Sequence, residues 1–186
     1  MNKKFFLLLL SLLLIHCGPE IHMDNDPNFT LGYESVFSYK GVPYTGIMLS
    51  VHPNGVRRET EYKDGLEHGK TSDTYADGRP AAEYFFEKGK RIGIHKGWYE
   101  NGKPRFWYEY KDGMAHGDHW EWHEEGIPYR YGRFENNVNI GQKVWRKDGQ
   151  IYSNYIYTEQ RIYGVQGSKL CFKLKGDETN TRTVVK

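Results

Sequence analysis

The sequence predicts an all-β protein: an elongated antiparallel meander of tandem β-hairpin repeats, forming a single-layer sheet or a weakly closed solenoid. Three ladders of residues predict it. An aromatic ladder of Tyr39, Tyr62, Phe86, Tyr110, Phe134 and Tyr157 advances in steps of 23 or 24 residues. A glycine ladder of Gly46, Gly69, Gly93, Gly117, Gly141 and Gly164 keeps the same steps, each Gly seven residues after its aromatic. A third ladder, Gly55, Gly78, Gly102, Gly126 and Gly149, marks the middle of each unit. Self-similarity at one fixed period is the sequence signature of a repeat architecture.

The chain begins with a short basic stretch and an apolar run of 11 residues, Phe5 to Ile15, broken only by Ser11. A membrane-spanning helix needs about 20 residues, so this run is too short to span and fits the apolar region of a signal peptide. Leu14-Ile15-His16-Cys17-Gly18 follows. This resembles a bacterial lipoprotein signal, although His16 stands where a small residue is usual. The resemblance implies that residues 1–16 are removed and that Cys17 is the lipid attachment site. It implies export and anchoring to a bacterial membrane, the outer one where there are two. The alternative is an ordinary signal peptide or an uncleaved anchor, but no small-x-small cleavage site lies nearby.

Residues 17–38 are expected to hold the lipidated Cys, a flexible tether and a first edge strand beginning within Phe29 to Ser38. The segment after Cys17 is rich in Pro, Asp and Asn, and a coil of about 12 residues reaches roughly 20 Å.

The repeat array occupies residues 39–164. Each mid-unit Gly follows Asn54, Asp77, Asn101, Glu125 or Asp148. Asn-Gly and Asp-Gly pairs are strong hairpin signals because both residues tolerate positive φ. A second turn appears as Lys63-Asp64-Gly65, Glu87-Lys88-Gly89 and Lys111-Asp112-Gly113. Each unit therefore has two turns and two short strands. Asp118 to His123 alternates apolar and polar residues, which puts Trp120 and Trp122 on one face. Phe106, Tyr108 and Tyr110 alternate likewise. Trp98, Trp122 and Trp145 each lie four residues before a mid-unit Gly and predict a column. That column is either a packed cross-strand ladder or an exposed binding strip. Strands lie about 4.8 Å apart, so five two-strand units make a sheet roughly 50 Å long. The fifth copy departs from pattern: Asn137 replaces the turn Gly, and one residue is missing before Gly149. Residues 165–186 are expected to supply a closing strand, Lys169 to Leu174, and a frayed tail.

The units Tyr62-Lys63-Asp64-Gly65-Leu66-Glu67-His68-Gly69 and Tyr110-Lys111-Asp112-Gly113-Met114-Ala115-His116-Gly117, with Trp98-Tyr99-Glu100-Asn101-Gly102-Lys103, resemble bacterial variant-type MORN repeats. The resemblance implies a non-catalytic β-hairpin array that binds proteins, serves as a scaffold or associates with membranes. Many members carry an antitoxin label. A repeat fold does not fix a function.

Composition bounds the partners. Removing residues 1–16 takes away Lys3 and Lys4, so the mature chain balances 24 basic against 24 acidic side chains. Nucleic-acid binding draws on excess positive charge, and no nucleic-acid partner is expected. No catalytic, cofactor-binding or metal site is expected either. There is no Gly-x-Ser-x-Gly elbow and no phosphate-cradling loop, for the glycines are spaced for turns. His68 and His116 share one repeat position and follow from duplication. His119, Glu121 and His123 fall on alternate positions, but alternate residues on a strand lie nearly 7 Å apart, too far to converge easily on one ion. If Cys17 is acylated, Cys171 has no partner within the mature chain. Its place in an apolar alternation suits a small buried hydrophobe, and an intermolecular disulfide is the other reading. The expected function is thus a membrane-anchored protein-binding or scaffold lipoprotein of the cell envelope. An immunity or antitoxin-like inhibitor is the alternative, and a glycan-binding or glycan-acting protein comes third.

Overall fold

The computed structural model describes residues 19–158 and 161–165. Cys17, Cys171 and the closing strand expected over Lys169 to Leu174 lie outside them. The first strands in chain order are β1 (Ile21–Met23), β2 (Phe29–Leu31), β3 (Phe37–Tyr39) and β4 (Val42–Pro43). The array follows as β5 (Gly46–Val51), β6 (Arg57–Lys63), β7 (Leu66–Thr74), β8 (Pro80–Glu87), β9 (Lys90–Arg91) and β10 (Gly93–Trp98). It continues through β11 (Pro104–Lys111), β12 (Met114–Trp122), β13 (Pro128–Glu135), β14 (Val138–Trp145), β15 (Ile151–Thr158) and β16 (Arg161–Val165). One sheet runs from β1 through β5 to β16 in sequence order, with β9 beside β8, and it does not close into a barrel. Among the described residues every strand pair is antiparallel except β1 with β5. The fold is therefore the predicted all-β meander of hairpins.

The two turns of each unit differ in chemistry. At one edge the two-residue loops have both φ values positive: Asp64-Gly65 (53°, 79°), Lys88-Gly89 (50°, 74°) and Asp112-Gly113 (53°, 85°). This is the type I′ geometry whose twist matches the strands. Asn137, where the other copies have Gly, takes φ 68°, a conformation Asn reaches at less cost than other non-glycine residues. The second residue of each loop donates its N–H to the preceding unit: Gly89 to the Glu67 carbonyl at 2.8 Å, Gly113 to Arg91 at 2.9 Å, Asn137 to Ala115 at 2.9 Å. At the other edge the mid-unit Gly closes a longer turn, as where the Gly102 N–H donates to the Tyr99 carbonyl at 2.9 Å. There the Tyr75 and Tyr99 hydroxyls donate to the Trp98 and Trp122 carbonyls of the next unit at 2.7 and 2.6 Å. Each unit is thus stitched to its neighbours at both edges.

The ladder glycines explain the register. Gly69, Gly93 and Gly117 pair with the ladder aromatics Phe86, Tyr110 and Phe134. Their φ values are +94°, +63° and +86°, a region that L side chains enter at a cost of roughly 1–2 kcal/mol. At Gly69 and Gly117 the bulged-out Glu61 and Glu109 carboxylates occupy the space a Cβ would need. In the fifth copy the missing residue removes this feature. Gly141 has no positive φ and pairs with Ile156 rather than with Tyr157.

Two expectations about the N-terminal segment need correction. Residues 21–23, read as tether, form β1 and pair with β5. Phe29 to Ser38 does not supply the edge strand of the array, because β2, β3 and β4 make a separate three-stranded sheet. The reason is aromatic packing. Phe29 and Tyr39 close around His22 and Tyr44, with ring centroids 4.1 to 6.2 Å apart. Tyr44 is 2% exposed, and its hydroxyl lies 2.8 Å from the Ile47 carbonyl oxygen and 3.0 Å from that of Glu20. Burial pushes its pKa up to about 12.

Candidate binding surface

Alternation gives the sheet two unlike faces. On one, which we call inner, cross-strand partners form the row Met48, Thr60, Thr71, Tyr84, and then His95, Tyr108, His119 and Gly132. His95 and His119 are buried. Each Nε2 lies 2.9 Å from a carbonyl oxygen, of Phe85 and Glu109 respectively. A carbonyl only accepts, so Nε2 carries the hydrogen. Burial lowers both pKa values by disfavouring the charged ring. The two imidazoles sit between ladder aromatics, giving a continuous spine of Phe86, His95, Tyr110, His119 and Phe134 with centroids 4.5 to 5.5 Å apart. Two ion pairs flank it, Arg58 with Asp73 and Arg130 with Glu121. The Tyr108 hydroxyl donates to Glu121 at 2.9 Å. Burial and then this hydrogen bond raise the Tyr108 pKa.

The outer face changes character along the array. Its central row reads Leu49, Glu59, Ser72, Glu83, Lys96, Trp107, Trp120, Tyr131 and Lys143. The first half is charged: Glu83 bridges Lys70 at 2.7 Å and Lys96 at 3.1 Å. The hydrogen bond from Lys70, reinforced by Lys96 against the effect of burial, lowers the Glu83 pKa. The second half is aromatic. Trp120 stacks on Trp122 at 5.9 Å and on Trp145 at 6.0 Å, and packs on Tyr131 at 4.6 Å. Trp107 beside them is 37% exposed. Trp120, Trp145 and Tyr131, with Arg133, Lys143 and Ile156, line an open groove of about 550 Å³. Asp118 anchors its polar edge, accepting hydrogen bonds from Arg133 at 2.6 Å and Tyr131 at 2.9 Å. Burial opposes ionisation of Asp118, yet these two partners hold its pKa below the usual carboxylate value.

The structure divides the residues singled out in the sequence. Trp122 and Trp145 meet through Trp120, which lies outside the predicted column, whereas Trp98 is covered by Lys96 at 5.3 Å. The Trp side chains are therefore neither a simple cross-strand ladder nor a freely exposed strip. They form a half-buried stack with one exposed neighbour. Trp107 and Tyr131 were not singled out in the sequence, and Trp120 was read only as sharing a face with Trp122. Their signal was the hairpin register, which sets Trp107 opposite Trp120 and Trp120 opposite Tyr131. His119, Glu121 and His123 do not converge. His119 binds the Glu109 carbonyl, Glu121 binds Arg130 and Tyr108, and His123 packs on Tyr129 at 5.1 Å. Among the described residues no group of three or more metal-ligating side chains is placed to hold an ion. The His68 Nδ1 lies 3.4 Å from the Lys88 amide, while the buried His116 Nδ1 has no partner among the described residues.

Compared with known proteins, the chain matches no protein-family model and no curated sequence.

Proposed function

We propose that the protein is a non-catalytic binding lipoprotein of the cell envelope, anchored through Cys17, and that the aromatic half of its outer face captures a protein partner. The observation that carries this reading is the composition of the outer groove. Trp120, Trp145 and Tyr131 line it with Arg133, and Trp107 stands opposite Trp120 on the adjoining strand. Trp, Tyr and Arg are the residues that dominate binding energy at protein interfaces, in clusters ringed by polar side chains. The charged half of the same row offers no such cluster. MORN-like repeats and the signal-like start are consistent with a display module held near a membrane.

Two experiments test the reading. Metabolic labelling with an alkyne fatty acid should mark the native chain and leave Cys17→Ala unlabelled; equal labelling of both removes the anchor. Pull-down from envelope extracts with the detergent-solubilised chain should recover a partner that Trp120→Ala loses while keeping its fold. Equal recovery by Trp120→Ala removes the groove from the account. A secreted-type toxin as the captured protein would turn the binding role into immunity.

A further inference from the structure

The inner spine is interrupted once. From Phe86 to Phe134 every pair of ladder rings is bridged by an imidazole, and from Tyr44 to Tyr62 the rings meet directly at 6.0 Å. Among the described residues no ring links Tyr62 to Phe86. The position that bridges, two residues after the ladder Gly, is His95 in the third copy and His119 in the fourth, but Thr71 in the second. Thr71 is 3% exposed, and its Oγ1 is buried with no hydrogen-bond partner. It lines a groove of about 600 Å³ with Arg58, Glu67, Tyr84, Phe86 and Arg91, and the groove continues over His95 to Tyr110.

The charged groups at this groove are not equivalent. Arg58 is held by both Asp73 oxygens at 2.6 and 2.8 Å and lies over the Tyr84 ring. Arg91 lies over Tyr110 at 5.4 Å. Glu67 has no ion-pair partner among the described residues, and burial raises its pKa against the pull of the two arginines. The groups without a partner at the gap are thus the Glu67 carboxylate and the buried Thr71 hydroxyl, which can accept as well as donate, beside aromatic side chains. A buried hydroxyl without a partner costs roughly 1–3 kcal/mol, so a ligand that pairs with it gains binding energy at no cost to the fold.

We propose that this gap is a binding site for a planar heteroaromatic ring carrying an N–H donor, imidazole being the simplest, which takes the place that His95 and His119 fill in the next two copies. The ring packs beside Phe86, tilted as His95 is, and its N–H is directed at Thr71 or Glu67. The site is distinct from the outer groove, since it opens on the opposite face.

The test is a titration of the full chain with imidazole at pH 8, followed through the γ-methyl NMR signals of residue 71 (Thr in the native chain, Val in Thr71→Val) and through the ligand-induced rise in melting temperature, which also reads Thr71→His, with thiophene as the ring that lacks an N–H. The expected result is a saturable shift in the millimolar range, a thiophene response weaker by about five-fold, the worth of one neutral hydrogen bond, and a similar weakening in Thr71→Val. Thr71→His should fill the gap and abolish the response. A Thr71 signal that does not saturate, equal responses to imidazole and thiophene, or an undiminished imidazole-induced rise in melting temperature in Thr71→His would each overturn the site. If Thr71→His fails to fold, Thr71→Val and thiophene decide the question.

Discussion

The first two copies and the next two share a register but not a chemistry. Ladder glycines, type I′ turns and the hydrogen bonds between turns recur in both halves. The side chains on the rows do not. Where the first half sets Thr60 and Thr71 on the inner row, the second sets His95 and His119. Where the outer row begins with Glu59 and Glu83, it continues with Trp107 and Trp120. The backbone is specified by a few positions that demand unusual φ values, and this leaves both faces free to vary. Copy five shows the limit of that freedom. With one spacing residue gone, Gly141 becomes ordinary strand and Gln142, rather than a His, enters the inner row.

Substitutions break this comparison in graded ways. The largest effect is expected at the inner row. His119→Ala removes three ring contacts, with Tyr108, Tyr110 and Phe134, and leaves the Glu109 carbonyl without this donor. We expect a loss of about 3 kcal/mol in urea denaturation, against less than about 1 kcal/mol for Gln142→Ala, whose residue is only half-buried and has no ring partner. Next comes the register. Gly117→Ala forces a Cβ toward the Glu109 carboxylate at positive φ and should cost about 2 kcal/mol. Gly141→Ala, with its nearest neighbours at 3.5 Å and no positive φ, should cost under about 0.5 kcal/mol. Equal costs would mean that the bulge does not set the register.

A smaller, graded effect is expected from pH. Burial lowers the folded-state pKa of His95 and His119 below the ordinary value of about 6.5. Below that value the unfolded chain binds protons that the folded chain refuses. Stability is therefore fully present above about pH 6.5 and falls as pH drops toward the lowered folded values. His119→Gln should reduce the slope between pH 7 and 5, and Thr71→Ala should leave it unchanged. The smallest effect is expected at the stitched edge. Tyr99→Phe deletes the 2.6 Å bond to the Trp122 carbonyl and should cost about 1 kcal/mol.

Much of the fold was legible in the sequence because its turns need residues that few others can replace. Asp112-Gly113 and Asn101-Gly102 announce positive φ, and Trp120 and Trp122 announce a shared face by alternation. The N-terminal cap was not legible. Ile21 to Met23 is too short to show a period, and β2 to β4 are gathered by contacts of Phe29, Tyr39 and Tyr44 with His22 that no local pattern encodes. The outer groove was half legible. Trp145 and Trp122 were visible as a column, but Trp120 joins them only once strand register carries β12 across β13 to β14. The spine was concealed by residue type, since histidines that fill a ladder look in a sequence like candidate ligands. The Thr71 gap follows from the same spine and becomes visible only against it.

The most direct test of the central claim, that the aromatic half of the outer face is the docking surface, uses two positions on one row. A photo-crosslinking amino acid is placed at Trp107 in one full-length chain and at Glu59 in another, and intact cells are illuminated. A discrete partner adduct is expected from position 107 and none from position 59. No adduct from 107, or equal adducts from both, would contradict it.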